Sequence, residues 1–369
     1  MEDKRTESLN EALNDAIRIA SENGNLEMVR YLGKVSDLDE WDERVLQGAS
    51  ENGHLDVVRF LVEKGADVHA DDDDALHLAS WNGHLEVVRY LVEHGADVHA
   101  CDDEAVQLAS QNGHLEVVQY LVENRADVHA DDDDALGLAS ENGHLEVVKY
   151  LVKSGANVHA DDDDALGLAS ENGHLEVVKY LVECGAKNEE ALREASENGH
   201  LEVVKFLVGK GADVHAENEE ALRWACYNGH LKIVQYLVEE GGADVLAKDN
   251  GQTVLDWAIQ NGHLSVVQFL VEECGAHAHG ISDRALQSAM ERGHNSVTTY
   301  MANVLRQSWF QEENNAVAVC CICLLAMENK NNQWHCRTCC GMIHLDCIMQ
   351  WCKKKTTCPL CRQAVSFSK

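Results

Sequence analysis

Apolar positions recur along most of the chain in short bursts at helical spacing, cut at regular points by polar dipeptides. Residues 71–100 hold one such unit, DDDDALHLASWNGHLEVVRYLVEHGADVHA. Ala75, Leu76 and Ala79 make a short apolar face, Asn82-Gly83 breaks it, and Leu85, Val88, Leu91 and Val92 follow three or four residues apart or as neighbours on one face. The pattern predicts two short antiparallel helices. Gly95 supplies the stop after the second, and Ala96 to Ala100 lead out through an extended loop.

The tetrapeptide Asn-Gly-His-Leu begins at Asn52, Asn82, Asn112, Asn142, Asn172, Asn198, Asn228 and Asn261, with diverged copies at Asn23 and Arg292. The intervals are 29, 30, 30, 30, 30, 26, 30, 33 and 31 residues, so one helix pair is repeated about ten times between residues 7 and 305. His54, His84 and His114 hold the same helix-turn position in successive copies, which predicts structural hydrogen-bonding residues rather than ligands. The second helix of the last unit is expected to run on through TYMANVLRQSWFQEE and to close the end of the stack with Tyr300, Val304, Leu305 and Trp309. Asp71 to Asp74, Asp131 to Asp134 and Asp161 to Asp164 open three copies. One aspartate of each run is expected to cap the first helix, a contribution of about 0.5–2 kcal/mol, while its neighbours favour the helix N-terminus. A stacked calcium-binding ridge is the alternative, although no loop resembles an EF-hand.

ALHLASWNGHLEVVRYLVEHGADVHA closely resembles the second-half consensus of the ankyrin repeat family. The near-identical copies with Val-His-Ala and Asp-Asp-Asp-Asp also resemble the ankyrin proteins of giant DNA viruses of amoebae. The resemblance implies a mainly α fold, an ankyrin-repeat α-solenoid, which carries no chemistry and binds proteins along the concave surface of first helices and hairpin tips. Two departures stand out. The family usually opens its first helix with Thr-Pro, but the only proline here is Pro359. Most units are also about three residues short where the β-hairpin tip belongs, which implies shortened hairpins, whereas the unit opening at Gly251-Gln252-Thr253 keeps nearly the full one. Among near-identical copies, His77, Trp81, Gln107, Gln111, Arg223, Trp224 and Tyr227 stand where most of the array has Gly or Glu, and they are the candidate target-binding residues.

Charge divides the chain. Residues 320–369 hold ten of the 14 cysteines and seven Lys/Arg against two Asp/Glu, whereas 23 Lys/Arg face 62 Asp/Glu before residue 320. The acidic part would repel a phosphate backbone, so proteins and not nucleic acid are its expected partners. No run of about 18 apolar residues occurs, and the N-terminus MEDKRTESLNEAL is charged where a secretory signal would be hydrophobic. An intracellular, cytoplasmic protein without membrane partners is expected (host cytoplasm, if the protein is viral). In a reducing compartment dense cysteines point to metal rather than to disulfides.

Three C-x-x-C pairs follow: Cys320 with Cys323, Cys336 with Cys339, and Cys358 with Cys361. His344 and Cys347 form a fourth pair with the same gap. Eight N/S ligands in four pairs suit two tetrahedral, structural zinc ions with no activated water. The spacing in CRTCCGMIHLDC is shared with PHD fingers, which read histone tails. Cys347-Ile348-Met349-Gln350-Trp351 and Cys358-Pro359-Leu360-Cys361-Arg362 instead resemble RING domains, in the variant form of listerin-type ubiquitin ligases. That resemblance implies a cross-brace, with Cys320, Cys323, His344 and Cys347 on one zinc and Cys336, Cys339, Cys358 and Cys361 on the other. It also implies a groove in which Ile322, Leu324, Trp351 and Pro359 contact a ubiquitin-conjugating enzyme, with Arg362 bonding both that enzyme and ubiquitin. The expected organisation is an array over residues 1–311, a linker over 312–319 and a RING-type zinc module over 320–369. The expected function is a RING-type ubiquitin ligase acting without a covalent intermediate. The alternative is a non-enzymatic ankyrin scaffold whose zinc module serves as an adaptor or a PHD-like reader.

Overall fold

The computed structural model describes residues 2–35, 43–187, 189–276 and 282–311, together with short strands at 333–335 and 342–344. The chain divides into two compact units, residues 1–191 and 192–369. Among the described residues there are twenty α-helices and four short strands, and no helix is long and apolar enough to cross a membrane.

The first unit is a series of helix pairs, among them Ala70–Trp81 with Leu85–Glu93, Ala100–Gln111 with Leu115–Glu123, and Ala130–Glu141 with Leu145–Ser154. Each pair buries most of the residues that the apolar pattern marks, although Leu85 and Val92 are only half-buried and Val87 and Tyr90, which the pattern does not mark, are buried. Leu76, Ala79, Val88 and Leu91 are wholly inaccessible, as are their counterparts Val106, Ala109, Val118 and Leu121. A helix of nine residues is too short to hold alone in water. Burial against the next pair stabilises it.

Asn-Gly-His-Leu is the joint between pairs. Gly53 sits at φ 73°, and a Cβ there would lie 2.5 Å from Nδ1 of His84 in the next copy. The His84 ring covers that glycine while its Nε2 donates to the carbonyl of Glu51 at 2.9 Å. His54, His114, His144 and His174 make the same bond to Glu22, Trp81, Gln111 and Glu141 at 2.8–3.0 Å. The recurring histidines are structural, as their position predicts.

The aspartate runs behave differently from the expected caps. Asp71, Asp72 and Asp73 all have positive φ, at 50°, 54° and 64°, and so do Asp131 to Asp133 and Asp161 to Asp163. The chain reaches the first helix through a left-handed turn, and no side-chain cap bond forms there. This turn replaces the hairpin tip. Left-handed backbone costs an L-residue roughly 1–2 kcal/mol, a cost that aspartate's short polar side chain reduces by bonding locally. Asp73 is 4% exposed. It accepts from His69 Nδ1 at 3.2 Å and from the backbone N–H of Asp97, one copy further on, at 2.9 Å. Asp103 and Asp133 repeat the clamp on the amides of Asp127 and Asn157, both at 2.8 Å. The third residue of each turn therefore ties successive copies together.

The second unit contains the pairs Ala216–Asn228 with Leu231–Glu239, Val254–Gln260 with Leu264–Glu272, and Asp283–Glu291 with Asn295–Gln311. Strands Lys248–Asp249 and Gln252–Thr253 pair antiparallel around Asn250-Gly251, both at positive φ, so one full hairpin is kept where the sequence retains the extra residues. Thr253 then caps its helix in a reciprocal box: the Asp256 N–H donates to Thr253 Oγ1 at 3.4 Å, and the Thr253 N–H donates to Asp256 Oδ2 at 2.8 Å. The wholly buried Asp256 also accepts from the Ser282 N–H at 2.7 Å. The last helix runs to Gln311, and Tyr300 in it donates to Glu272 Oε1 at 2.7 Å. The Trp309 side chain lies outside the described residues.

Candidate functional site

The residues at which the copies differ fall into two sets. His77 and Gln107 are buried, at 5% and 8% exposure, and face the next copy rather than solvent. Gln107 Nε2 donates to Asp131 Oδ2 at 3.1 Å and to the Asp102 carbonyl at 2.9 Å. Gln47 makes the equivalent bond to Asp71 Oδ2 at 2.9 Å, again 24 residues on. In the second unit Arg223 pairs with Asp249 and donates to the Glu217 carbonyl at 2.9 Å. These three positions join neighbouring copies. His77 Nδ1 stands 3.5 Å from Glu104 Oε2, and its Nε2 is buried without a partner.

Trp81 and Tyr227 present large apolar area to solvent, at 41% and 37% exposure, and Gln111 is half-buried. In the second unit Tyr227 is the middle of an aromatic row. Its ring centroid lies 5.4 Å from Trp224 and 5.8 Å from Trp257, in edge and tilted arrangements that favour attraction between rings. Trp224 Nε1 reaches Glu220 at 3.4 Å, whereas Trp257 Nε1 is buried without a partner. Trp257 was not among the candidates from the sequence, yet aligning ALRWAC with VLDWAI places it opposite Trp224, 33 residues on.

Burial pushes the carboxyls of Asp74, Asp134 and Asp164 up, and like-charged neighbours such as Asp71, Asp131 and Asp161 add to the shift. His215 moves up because Glu219 accepts its hydrogen bond at 2.6 Å, and His263 moves down chiefly through burial. Among the described residues no such group is paired with a nucleophile in the manner of a hydrolase. The buried Cys226 thiol is pushed well above its ordinary value by desolvation and is inert.

Of the cysteine-rich end, the described part is an antiparallel hairpin. Gln333, Trp334 and His335 pair with His344, Ile343 and Met342 in that order. His344 stands at the end of the return strand, opposite Gln333. Cys320, Cys323, Cys336, Cys339, Cys347, Cys358 and Cys361 lie outside the described residues, as do Ile322, Leu324, Trp351, Pro359 and Arg362.

The chain is similar to "Probable E3 ubiquitin-protein ligase RHA4A" of Arabidopsis thaliana, with 43% identity over 51 residues. That match takes in 14% of this chain and 29% of the relative, so less than a third of the relative's length is spanned. The sequence profile described as ankyrin repeats (3 copies) matches residues 17–102, 76–162, 106–191, 136–218 and 192–282. These overlapping matches follow the helix pairs and the glycine–histidine joints through most of the chain, which belongs to the ankyrin repeat family.

Proposed function

We propose that the protein is a modular ubiquitin ligase, in which the ankyrin array holds a target and the cysteine-rich end recruits a ubiquitin-conjugating enzyme carrying ubiquitin. Ankyrin repeats are protein-interaction modules, and the array's partners are proteins. What carries the reading beyond that is the residue pattern of the last fifty positions: four ligand pairs, with Ile322, Trp351, Pro359 and Arg362 at the places where a RING contacts its enzyme. The 51-residue similarity to a plant protein named as a ligase supports it and is close to this segment in length.

Seven thiols and one imidazole are a donor set that suits zinc, which bound as thiolate and neutral imidazole complexes would supply folding energy rather than chemistry. Cys320, Cys323, His344 and Cys347 would hold one ion, and Cys336, Cys339, Cys358 and Cys361 the other. No nucleophile is needed in this chain. Arg362 would donate from its guanidinium fork to carbonyls of the conjugating enzyme and of ubiquitin together, holding the thioester in an attack-ready pose. Ile322, Leu324, Trp351 and Pro359 would supply the apolar groove. On the array, exposed Trp81 and Tyr227 are the side chains best placed to anchor a target, because large aromatics bury the most area per ordered group.

The test is autoubiquitination of the full chain with a panel of conjugating enzymes, comparing wild type with Ile322→Ala and Arg362→Ala. Chains formed by wild type and lost in both variants are expected. Absence of chains with every enzyme, from protein that retains its zinc, would overturn the ligase and leave the alternative of a non-enzymatic adaptor.

A further inference from the structure

At one joint in the first unit three residues depart from the array together. At the joints on either side a glutamine of one copy donates to the first aspartate of the next, Gln47 to Asp71 and Gln107 to Asp131, whereas Gly137 and Gly167 hold this position further on. Between those joints His77 replaces the glutamine, and Cys101, 24 residues on, replaces the aspartate. Glu104 meanwhile stands where Asp74, Asp134 and Asp164 stand in neighbouring copies. The donor–acceptor pair of the flanking joints is gone, and Glu104 instead stands beside both replacements, hydrogen-bonded with the Cys101 thiol and 3.5 Å from His77 Nδ1. His77 is 5% exposed, its Nε2 has no partner, and its Nδ1 lies at the outer limit of hydrogen-bond reach from Glu104. A buried imidazole left in that state costs stability unless something further binds it.

One ligand atom from each of His77, Cys101 and Glu104 lies within 4.8 Å of the other two. Donors on a tetrahedral zinc stand about 3.5 Å apart, so side-chain adjustment of the order of an ångström closes the set. We propose that His77, Cys101 and Glu104 form a metal site between two ankyrin copies, taking one divalent ion of the zinc class with a solvent molecule in the fourth position. An imidazole, a thiolate and a carboxylate select borderline-soft transition ions over calcium or magnesium, which prefer all-oxygen shells. Asp72, Asp74 and Asp102 around the three ligands add negative potential for a cation. The site would pin two successive copies at a point where the usual hydrogen bond is missing, independently of the cysteine-rich end.

The experiment uses the full chain, reduced with a phosphine, loaded with Zn2+, dialysed and counted by elemental analysis. The variant is His77→Gln with Cys101→Asp, which restores the pair that holds the neighbouring joints and so preserves the fold, as circular dichroism would check. Wild type should retain one zinc equivalent more than the double variant, and Glu104→Gln should weaken zinc binding at least tenfold. Repeating the comparison with Cys320→Ser, Cys323→Ser, Cys336→Ser and Cys339→Ser in both chains removes a ligand pair from each proposed C-terminal site and keeps the difference free of them. Equal zinc content in wild type and the folded double variant overturns the site. Cobalt gives a second readout, since a thiolate-to-metal absorption in the near ultraviolet that diminishes by one thiolate's share with Cys101→Asp alone supports thiolate ligation, and its persistence undiminished refutes it.

Discussion

Gly53 and Gly65 are both at positive φ, 73° and 92°, but only one is covered. A Cβ on Gly53 would meet the His84 ring, whereas nothing lies within 4 Å of the same atom on Gly65. Gly65→Ala should therefore cost only the backbone term, about 1–2 kcal/mol. Gly53→Ala adds displacement of an imidazole that holds an inter-copy bond, for a total of roughly 2–4 kcal/mol. Urea unfolding of the two variants checks this, and equal midpoints would refute the joint. Asp73 allows a second comparison. It accepts from His69 and from the Asp97 amide while nearly inaccessible, so Asp73→Ala takes the acceptor from the inter-copy amide and releases the exposed His69 ring to solvent, and should lose about 1–3 kcal/mol. Asp73→Asn keeps one acceptor oxygen and tolerates the left-handed backbone, so its loss should be smaller by the same assay.

The helices were legible because their signal is repeated in every copy: apolar residues three and four apart, then Asn-Gly. The aspartate runs misled for a physical reason. Asp before an apolar run is the usual mark of a cap, but here the side chain that would cap is turned by three left-handed residues toward the next copy. The signal that distinguishes the cases is the histidine four residues before an acidic residue at the third position of the turn, as in His69 with Asp73, His99 with Asp103 and His215 with Glu219. The unit at Thr253 lacks it and has the ordinary box instead. Among the candidate binding residues, the sequence marked His77 as different but could not show that Cys101 and Glu104 meet it, since that contact depends on how copies stack. The hairpin and box at Thr253 carry their own test. Thr253→Ala should cost about 0.5–2 kcal/mol through loss of the cap, whereas Asp256→Ala also frees the Ser282 amide and should cost more. Thermal melting of both variants checks the order, and a larger loss at Thr253 would contradict it.

At the scale of the whole molecule the dominant fact is charge, with 62 Asp/Glu against 23 Lys/Arg before residue 320. Exposed pairs such as Lys149 with Glu146 and Lys179 with Glu176 contribute about 0–1 kcal/mol each, too little to offset self-repulsion on that scale. Salt should therefore stabilise the array, because screening over a Debye length of about 8–10 Å weakens the net repulsion more than it weakens a few ion pairs. Acid should act in the same direction at first. Asp74, Asp134 and Asp164 have raised folded values, so as pH falls from neutrality they take up protons before the unfolded chain does, and stability is gained down to the ordinary value of 3.8. The raised His215 also favours the folded state below its ordinary 6.5, a contribution lost as pH rises through its folded value. His263 opposes them, since its lowered value means that stability is lost as pH falls below 6.5. Three carboxyls and one imidazole outnumber that single opposing group, so the melting temperature of the array should be higher at mildly acidic pH than at pH 8. His263→Gln should sharpen the gain, because the amide keeps a donor for the Tyr227 carbonyl without a titrating ring. A melting temperature that falls steadily from pH 8 to pH 5 in low salt would show that the carboxylates are held by ion pairs and not crowded by one another.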